Sequence, residues 1–151
     1  MKTVSLIRTN SDNAHFRKLV SELDADLRNR NGDIMDIYDQ HNIIEHNDTV
    51  IIAYLNNEQA GCGCFKPYDA DTVEIKRMFV RSAERGNGIS KLVLTGLENW
   101  ARELGFNYTV LETGSLQVEA LALYNKAGYL PIPQYGPYVG LPDSVCFKKS
   151  L

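Results

Sequence analysis

Apolar and polar positions along this 151-residue chain alternate in two periods, and the periods change over several times. Thr3 to Arg8 has the pattern of a first strand. Leu19, Leu23 and Leu27 then recur at helical spacing, and the helix they predict ends in the turn-like run Asn29 to Gly32. A second short helix is predicted from Asp33 to about Asn42. The runs DTVIIAYL and QAGCGCFK, joined by NNE, predict two strands of a hairpin, because both are rich in β-branched, aromatic or small apolar residues around a polar turn. Thr72 to Val80 alternates as a strand, with Val73, Ile75, Arg77 and Phe79 on one face and Glu74, Lys76, Met78 and Val80 on the other.

From Ile89 the pattern becomes helical. Leu92, Val93, Leu97, Trp100, Ala101 and Leu104 form one apolar stripe, which Gly105 stops. YTVLETG predicts another strand. The following segment, SLQVEALALYNKAGY, predicts a helix with Ser115 as N-cap and Gly128 just past its end. Pro131, Pro133, Pro137 and Pro142 break up the next stretch and leave DSVCFKK as a last strand. Strands and helices that interleave in this way predict an α/β architecture. The length predicts one domain over residues 1–151, since it is sufficient to bury a core without covalent staples.

Composition narrows the function classes. A hydrophobic fraction of 44% and a charged fraction of 23% belong to an ordinary globular protein. The net charge is −3, and its basic residues are scattered, which argues against nucleic acid as a partner. MKTVSLIRTNSD has too short an apolar run for a signal sequence or a membrane span, so the expected address is the cytoplasm, with no membrane partner. Cys62, Cys64 and Cys146 are odd in number and lack metal-site or redox spacing, so they read as buried small hydrophobes. His41 and His46 have no third ligand at metal spacing and read as surface residues, and no metal is expected.

The chemistry is concentrated in ERGNGISK, Glu84 to Lys91, where two glycines lie between a strand and a helix. Glycine permits close backbone approach, and a helix start presents unpaired amides, so an anion such as phosphate is the expected guest. The loop lacks the GxxxxGK[ST] pattern of a nucleotide-hydrolysing P-loop and matches only the first two glycines of GxGxxG.

The combination of RGNGIS after a strand ending at Val80 with the later ALALYNKAGY resembles the GCN5-related N-acetyltransferases, the GNAT superfamily, from about Thr72 to Gly128. In that family's [QR]xxGx[GA] loop, Arg85 takes the first position and Gly88 the fourth, while Ser90 departs from the small residue of the sixth. The resemblance implies the GNAT fold: a mixed, mostly antiparallel central sheet flanked by helices, with strands 4 and 5 splayed apart. It implies transfer of acetyl from acetyl-CoA, the cosubstrate, to a primary amine of a small molecule or peptide, by direct attack in a ternary complex. A non-catalytic acyl-CoA-binding module of the same fold is the alternative, and either would be a monomer or homodimer.

The same resemblance implies roles for individual residues. Arg85, Gly86, Asn87, Gly88, Ile89 and Ser90 would hold the coenzyme diphosphate. Met78, Phe79 and Val80 would offer strand backbone to the pantetheine arm, with the Met78 amide facing the developing oxyanion. Gln117 stands nearest the family's coenzyme-contacting asparagine. Glu74 is the candidate base, with Glu112 on the facing strand as its rival, and Tyr124 is the candidate acid for the leaving thiolate. Asp36, Tyr38, Tyr135 and Tyr138, with Glu112, could line an acceptor site, because carboxylates and tyrosine faces suit a cationic amine.

Overall fold

A computed structural model describes residues 3–31 and 46–151. The second predicted helix, with Asp36, Tyr38 and His41, lies outside the described residues. Strand β1 is Val4–Thr9, helix α1 Ala14–Asn31, β2 Val50–Leu55, β3 Glu58–Pro67 and β4 Thr72–Val80. Helix α2 follows at Ile89–Glu103, then β5 Tyr108–Gly114, helix α3 Val118–Lys126, β6 Leu130–Ile132 and β7 Ser144–Ser150. The strands form one mixed seven-stranded sheet in the order β1-β2-β3-β4-β5-β7-β6. Every neighbouring pair is antiparallel except β4 and β5, which run parallel.

Helix α1 begins where Asn13 Oδ1 accepts hydrogen bonds from the amides of His15 and Phe16, at 2.8 and 3.2 Å. Its stripe of Phe16, Leu19, Val20 and Leu23 packs on one face of the sheet against Val50, Ile52, Cys62, Cys64 and Phe79. Helix α2 covers the other face, where Val93, Leu94, Leu97 and Ala101 join Ile51, Phe65, Val73, Ile75, Leu111 and Phe147. Alternation along each strand therefore feeds two cores, one on each side of the sheet.

The hairpin turn is two residues long: Asn56 and Asn57 have φ of 52° and 71°, the left-handed pair that matches strand twist. Cys62, Cys64 and Cys146 are free and buried, as their sequence context predicts. His46 is exposed and its Nε2 lies 2.8 Å from Asp48 Oδ1. Two expectations need correction. The proline-rich stretch contains a short strand, β6, which tolerates Pro131 because it is the last strand of the sheet. Helix α3 starts at Val118 with Gln117 as N-cap residue, because Ser115 is drawn to the segment before β7: its amide donates to Asp143 O at 2.8 Å.

Candidate functional site

The site begins where β4 leaves β5. The two strands pair only from Thr72 to Ile75 opposite Tyr108 to Leu111. Past that point β5 continues pairing with β7 and β4 with β3, so Lys76 to Val80 face β5 across a wedge. The divergence coincides with a bulge. Between the pairs Cys62–Phe79 and Cys64–Lys76, β3 advances by two residues and β4 by three, which sets Gly63 opposite both Arg77 and Met78. Arg77 has φ of 60°, a left-handed conformation that costs a side-chain-bearing residue about 1–2 kcal/mol. Gly63 leaves room opposite: a Cβ there would lie 2.6 Å from Met78 Sδ and 2.9 Å from Leu97 Cδ1, so both side chains would have to move.

The bulge overturns part of the strict alternation read from TVEIKRMFV. Val73 and Ile75 do face α2, but the inserted residue shifts the phase, so Met78 and Val80 also face α2 and Phe79 faces α1. Glu74 pairs in register with Lys66, two residues from Cys64, and so lies on the α1 face. Glu74 and Met78 therefore do not share a face.

Beyond Val80 the chain makes a short 3-10 turn, Ser82–Glu84, and enters the glycine loop. Gly86 and Gly88 have φ of 85° and 74°, and a Cβ on either would meet nothing within 4 Å. Glycine is thus required by the backbone, and the space beside it is open. Gly88 is the N-cap residue of α2, and Leu92 N donates to Gly88 O at 3.1 Å as the first intrahelical bond. The amides of Ile89, Ser90 and Lys91 precede that bond and have no partner within the helix. Arg85 is turned inward, its Nε donating to Val80 O at 3.2 Å and its Nη2 lying 3.5 Å from Asp26 of α1. Asn87 Nδ2 donates to Glu84 O at 2.8 Å and closes the loop on itself. The first-position arginine therefore braces the loop against β4 and α1, and the amides at the start of α2 keep no partner within the helix.

On the far side of the wedge, Tyr124 of α3 is buried, with edge contacts to Tyr129 and a tilted contact to Phe147 at ring separations of 5.6 and 6.2 Å. Burial, and then the nearby charge of Glu112, push its hydroxyl above the ordinary tyrosine range. Gln117 is also buried, and its Nε2 has no hydrogen-bond partner among the described residues. A buried donor left unpaired at a helix start is costly unless a guest supplies the acceptor.

Glu74, Glu112, Tyr135 and Tyr138 meet on the α1 face. Tyr135 Oη donates to Glu74 Oε2 at 2.8 Å, and Lys66 Nζ lies 3.9 Å from Glu74 Oε1. Tyr135 makes edge contacts with Tyr68 and Tyr138, at ring separations of 5.2 and 5.5 Å. Burial and the charge of Glu74 raise both Tyr135 and Tyr138, so both remain protonated donors. Glu112 lies two residues past Val110, the partner of Glu74, and hence on the same face but inside the wedge. Ser144 Oγ donates to Glu112 Oε2 at 2.6 Å. Burial nevertheless pushes the Glu112 carboxyl up to about 7, against the opposing pull of that hydrogen bond. Glu74 thus meets Tyr135 and Lys66, and its charge also reaches Lys76 and Tyr138, while Arg77 pairs with Asp24 at 3.2 Å. Sequence reasoning missed Tyr68, Lys66, Ser144 and Gly63, which carry no local motif.

The acetyltransferase (GNAT) family model matches residues 16–129. This chain is a member of the GNAT acetyltransferase family. The GNAT chain is 29% identical to an IAA acetyltransferase of Azospirillum brasilense over the whole length of both. It is 33% identical to the uncharacterized N-acetyltransferase YsnE of Bacillus subtilis, over 66% of this chain and 67% of that one. Among solved structures it is similar to a Klebsiella pneumoniae protein provisionally named an acyl-CoA N-acyltransferase, with a TM-score of 0.78, 28% identity and coverage of 99% and 98%. A GNAT acetyltransferase from Elizabethkingia anophelis with acetyl-CoA bound shares the fold, with a TM-score of 0.69, 20% identity and 98% coverage of each chain. The protein is thus a GNAT-type acetyltransferase, in a family that uses acetyl-CoA. Among the described residues, no helix is long and apolar enough to cross a membrane, and no group of three or more His, Cys, Asp or Glu could hold a metal ion.

Proposed function

We propose that this GNAT enzyme acetylates a primary amine of a small molecule or peptide, by direct attack within a ternary complex assembled in the β4–β5 wedge. The observation that carries the reading is the wedge itself. It opens between an anion cradle at one end and a half-buried carboxyl of raised pKa, that of Glu112, at the other. The residues fit the coenzyme: open space at Gly86 and Gly88, a helix start behind them, strand backbone from Lys76 to Val80 without a β5 partner, and the unpaired Gln117 Nε2.

Bound acetyl-CoA supplies the acetyl thioester as acyl donor. The amides from Arg85 to Ser90 would hold its diphosphate, reinforced by the dipole of α2. The Met78 amide would donate to the acetyl oxygen, a contribution of roughly 3 kcal/mol when such a donor meets developing charge. An alkyl amine is protonated at neutral pH and must lose a proton before attack. Glu112 is the better base of the two carboxylates. It lies in the wedge with a carboxyl that titrates at about 7, whereas Glu74 is engaged by Tyr135 and Lys66. Glu74 would instead hold the tyrosines that, together with its charge, receive the cationic amine. Tyr124 Oη, kept protonated by burial, would hold a proton for the departing sulfur.

The test is a panel of primary amines, from polyamines to amino acids and peptides, incubated with acetyl-CoA and followed by thiol release and product mass. Amine-dependent thiol release with a product heavier by one acetyl group supports the reading, and Glu112→Gln should suppress it. Product mass unchanged across the panel, with coenzyme binding intact, would overturn amine acetylation.

A further inference from the structure

The bulge in β4 has an unusual occupant. A bulge whose first residue is left-handed normally has glycine there, since glycine takes a positive φ freely. Here the residue is Arg77. Such a conformation persists at a side-chain-bearing residue only where its surroundings over-determine it. Arg77 is held at both ends. Its Nη1 donates to Asp24 Oδ1 of α1 at 3.2 Å, with the arginine side chain 7% exposed, and its carbonyl accepts from Cys62 Sγ at 3.4 Å. Arg77 Nη2 is buried with no hydrogen-bond partner among the described residues, so the ion pair to α1 is the specific tie of the guanidinium.

The bulge has two consequences for the residues after it. It moves Met78 to the α2 face. It also reverses the neighbouring strand toward which each later amide points, because in-plane direction alternates with period two. We propose that Asp24 and Arg77 form a positioning pair that fixes this bulge and so aims the Met78 amide into the wedge. The proposal rests on the reading of that amide as the acetyl-oxygen donor. The same helix reaches the coenzyme loop from its other flank, where Asp26 meets Arg85 at 3.5 Å and Glu22 meets Arg81 at 3.1 Å. Asp24 lies on one side of the stripe of Leu19 and Leu23, and Glu22 and Asp26 on the other. One helix thus ties down both the bulge and the loop of the coenzyme path.

The test uses Arg77→Gly, which keeps the left-handed φ accessible, Asp24→Asn, and the reversed pair Arg77→Asp with Asp24→Arg. Aspartate is among the residues that tolerate a positive φ, so the reversed pair can restore the tie. Melting temperature and CoA affinity establish folding and an intact loop. The informative readouts are the amide resonance of Met78, in the free protein and on titration with acetyl-CoA or CoA, and kcat with a primary amine. Each single variant should shift the Met78 resonance, reduce its difference between acetyl-CoA and CoA, and lower kcat about tenfold or more, as loss of an aimed donor does. CoA affinity should stay within about threefold, since a change confined to the transition state leaves binding of the loop intact. The reversed pair should recover most of kcat.

Single variants with a native Met78 resonance and native kcat would overturn the pair. So would a reversed pair no better than either single change. If Met78 in the native protein responds identically to acetyl-CoA and CoA, the donor reading fails and the pair's catalytic purpose with it. A Met78 that distinguishes the two ligands in the native protein and in every variant alike removes the pair alone.

Discussion

The two ends of the wedge are built from different material. The end proposed for the coenzyme is backbone: two left-handed glycines, the first turn of α2 and the free side of β4, with Arg85 and Asn87 as braces. The end proposed for the acceptor is side chains: Glu74, Tyr135, Tyr138 and Glu112, drawn from β4, β5 and the segment before β7. Backbone recognition suits a cosubstrate common to a family, because an amide cradle depends on φ and ψ rather than on residue type. Side-chain recognition can change by substitution while the sheet stays as it is. The first end should therefore fail through backbone geometry and added bulk, and the second through charge and hydrogen bonding.

The largest contrast is expected from Gly88→Glu. It brings a side chain to a left-handed position and a negative charge to the anion cradle, and should weaken coenzyme affinity about 100-fold or more in calorimetry, given the unfavourable charge at a helix start. The fold should survive, because a Cβ at Gly88 meets nothing within 4 Å. Glu112→Gln should do the reverse, lowering kcat roughly 100-fold, within the range of a lost general base, with coenzyme affinity unchanged.

The same residue should set the pH dependence of activity. Its carboxyl titrates at about 7 in the folded chain, above the ordinary 4.5, so activity should rise with pH through about 7 as the base deprotonates. Stability should move oppositely. Between pH 4.5 and about 7 the folded state binds more protons at Glu112 than the unfolded one, so this group's contribution to stability falls as pH rises. Glu112→Gln should remove that part of the slope in melting curves; a slope left unaltered would mean the carboxyl is not held in its neutral form.

Smaller effects should follow at the remaining side chains. Tyr124→Phe should lower kcat roughly tenfold, the low end of general acid catalysis, because a thiolate is a tolerable leaving group. An unchanged rate, with chemistry shown to be limiting, would remove Tyr124 from that role. Tyr135→Phe deletes one hydrogen bond to a carboxylate and should cost about 1.5–3 kcal/mol in stability, together with a higher KM for the amine. Equal losses of coenzyme affinity from Tyr135→Phe and Gly88→Glu would erase the distinction between the two ends.

What was legible in the chain follows the same division. The glycine loop, the hairpin and most of the stripe of α2 are encoded in local pattern, although Leu92 and Leu104 of that stripe are exposed, and the splayed sheet was implied by the family resemblance alone. The bulge was not legible. TVEIKRMFV loses its polar–apolar alternation at Lys76–Arg77, but a strand read at strict period two passes over that break, and pairing with Cys62, Gly63 and Cys64 locates the extra residue at Arg77. That one residue placed Glu74 and Met78 on opposite faces. The acceptor cluster was legible as residue types but not as contacts, since Tyr135 and Glu74 are 61 residues apart and meet only through the order of the strands. The start of α3 was misplaced for a related reason: Ser115 has the chemistry of an N-cap, but its amide is used by Asp143 across the fold.

The central claim is that Arg85 to Ser90 cradles the diphosphate of coenzyme A, and its most direct test is a thermal-shift titration with acetyl-CoA, CoA, ATP and NAD, backed by calorimetry. A ligand present at 100 times its dissociation constant adds about 2.7 kcal/mol, or roughly 5–10 °C for a chain of this size. Selective stabilisation by acetyl-CoA and CoA, abolished by Gly88→Glu, is the predicted result. No shift and no heat with either coenzyme, or an equal response to ATP and NAD, would contradict it.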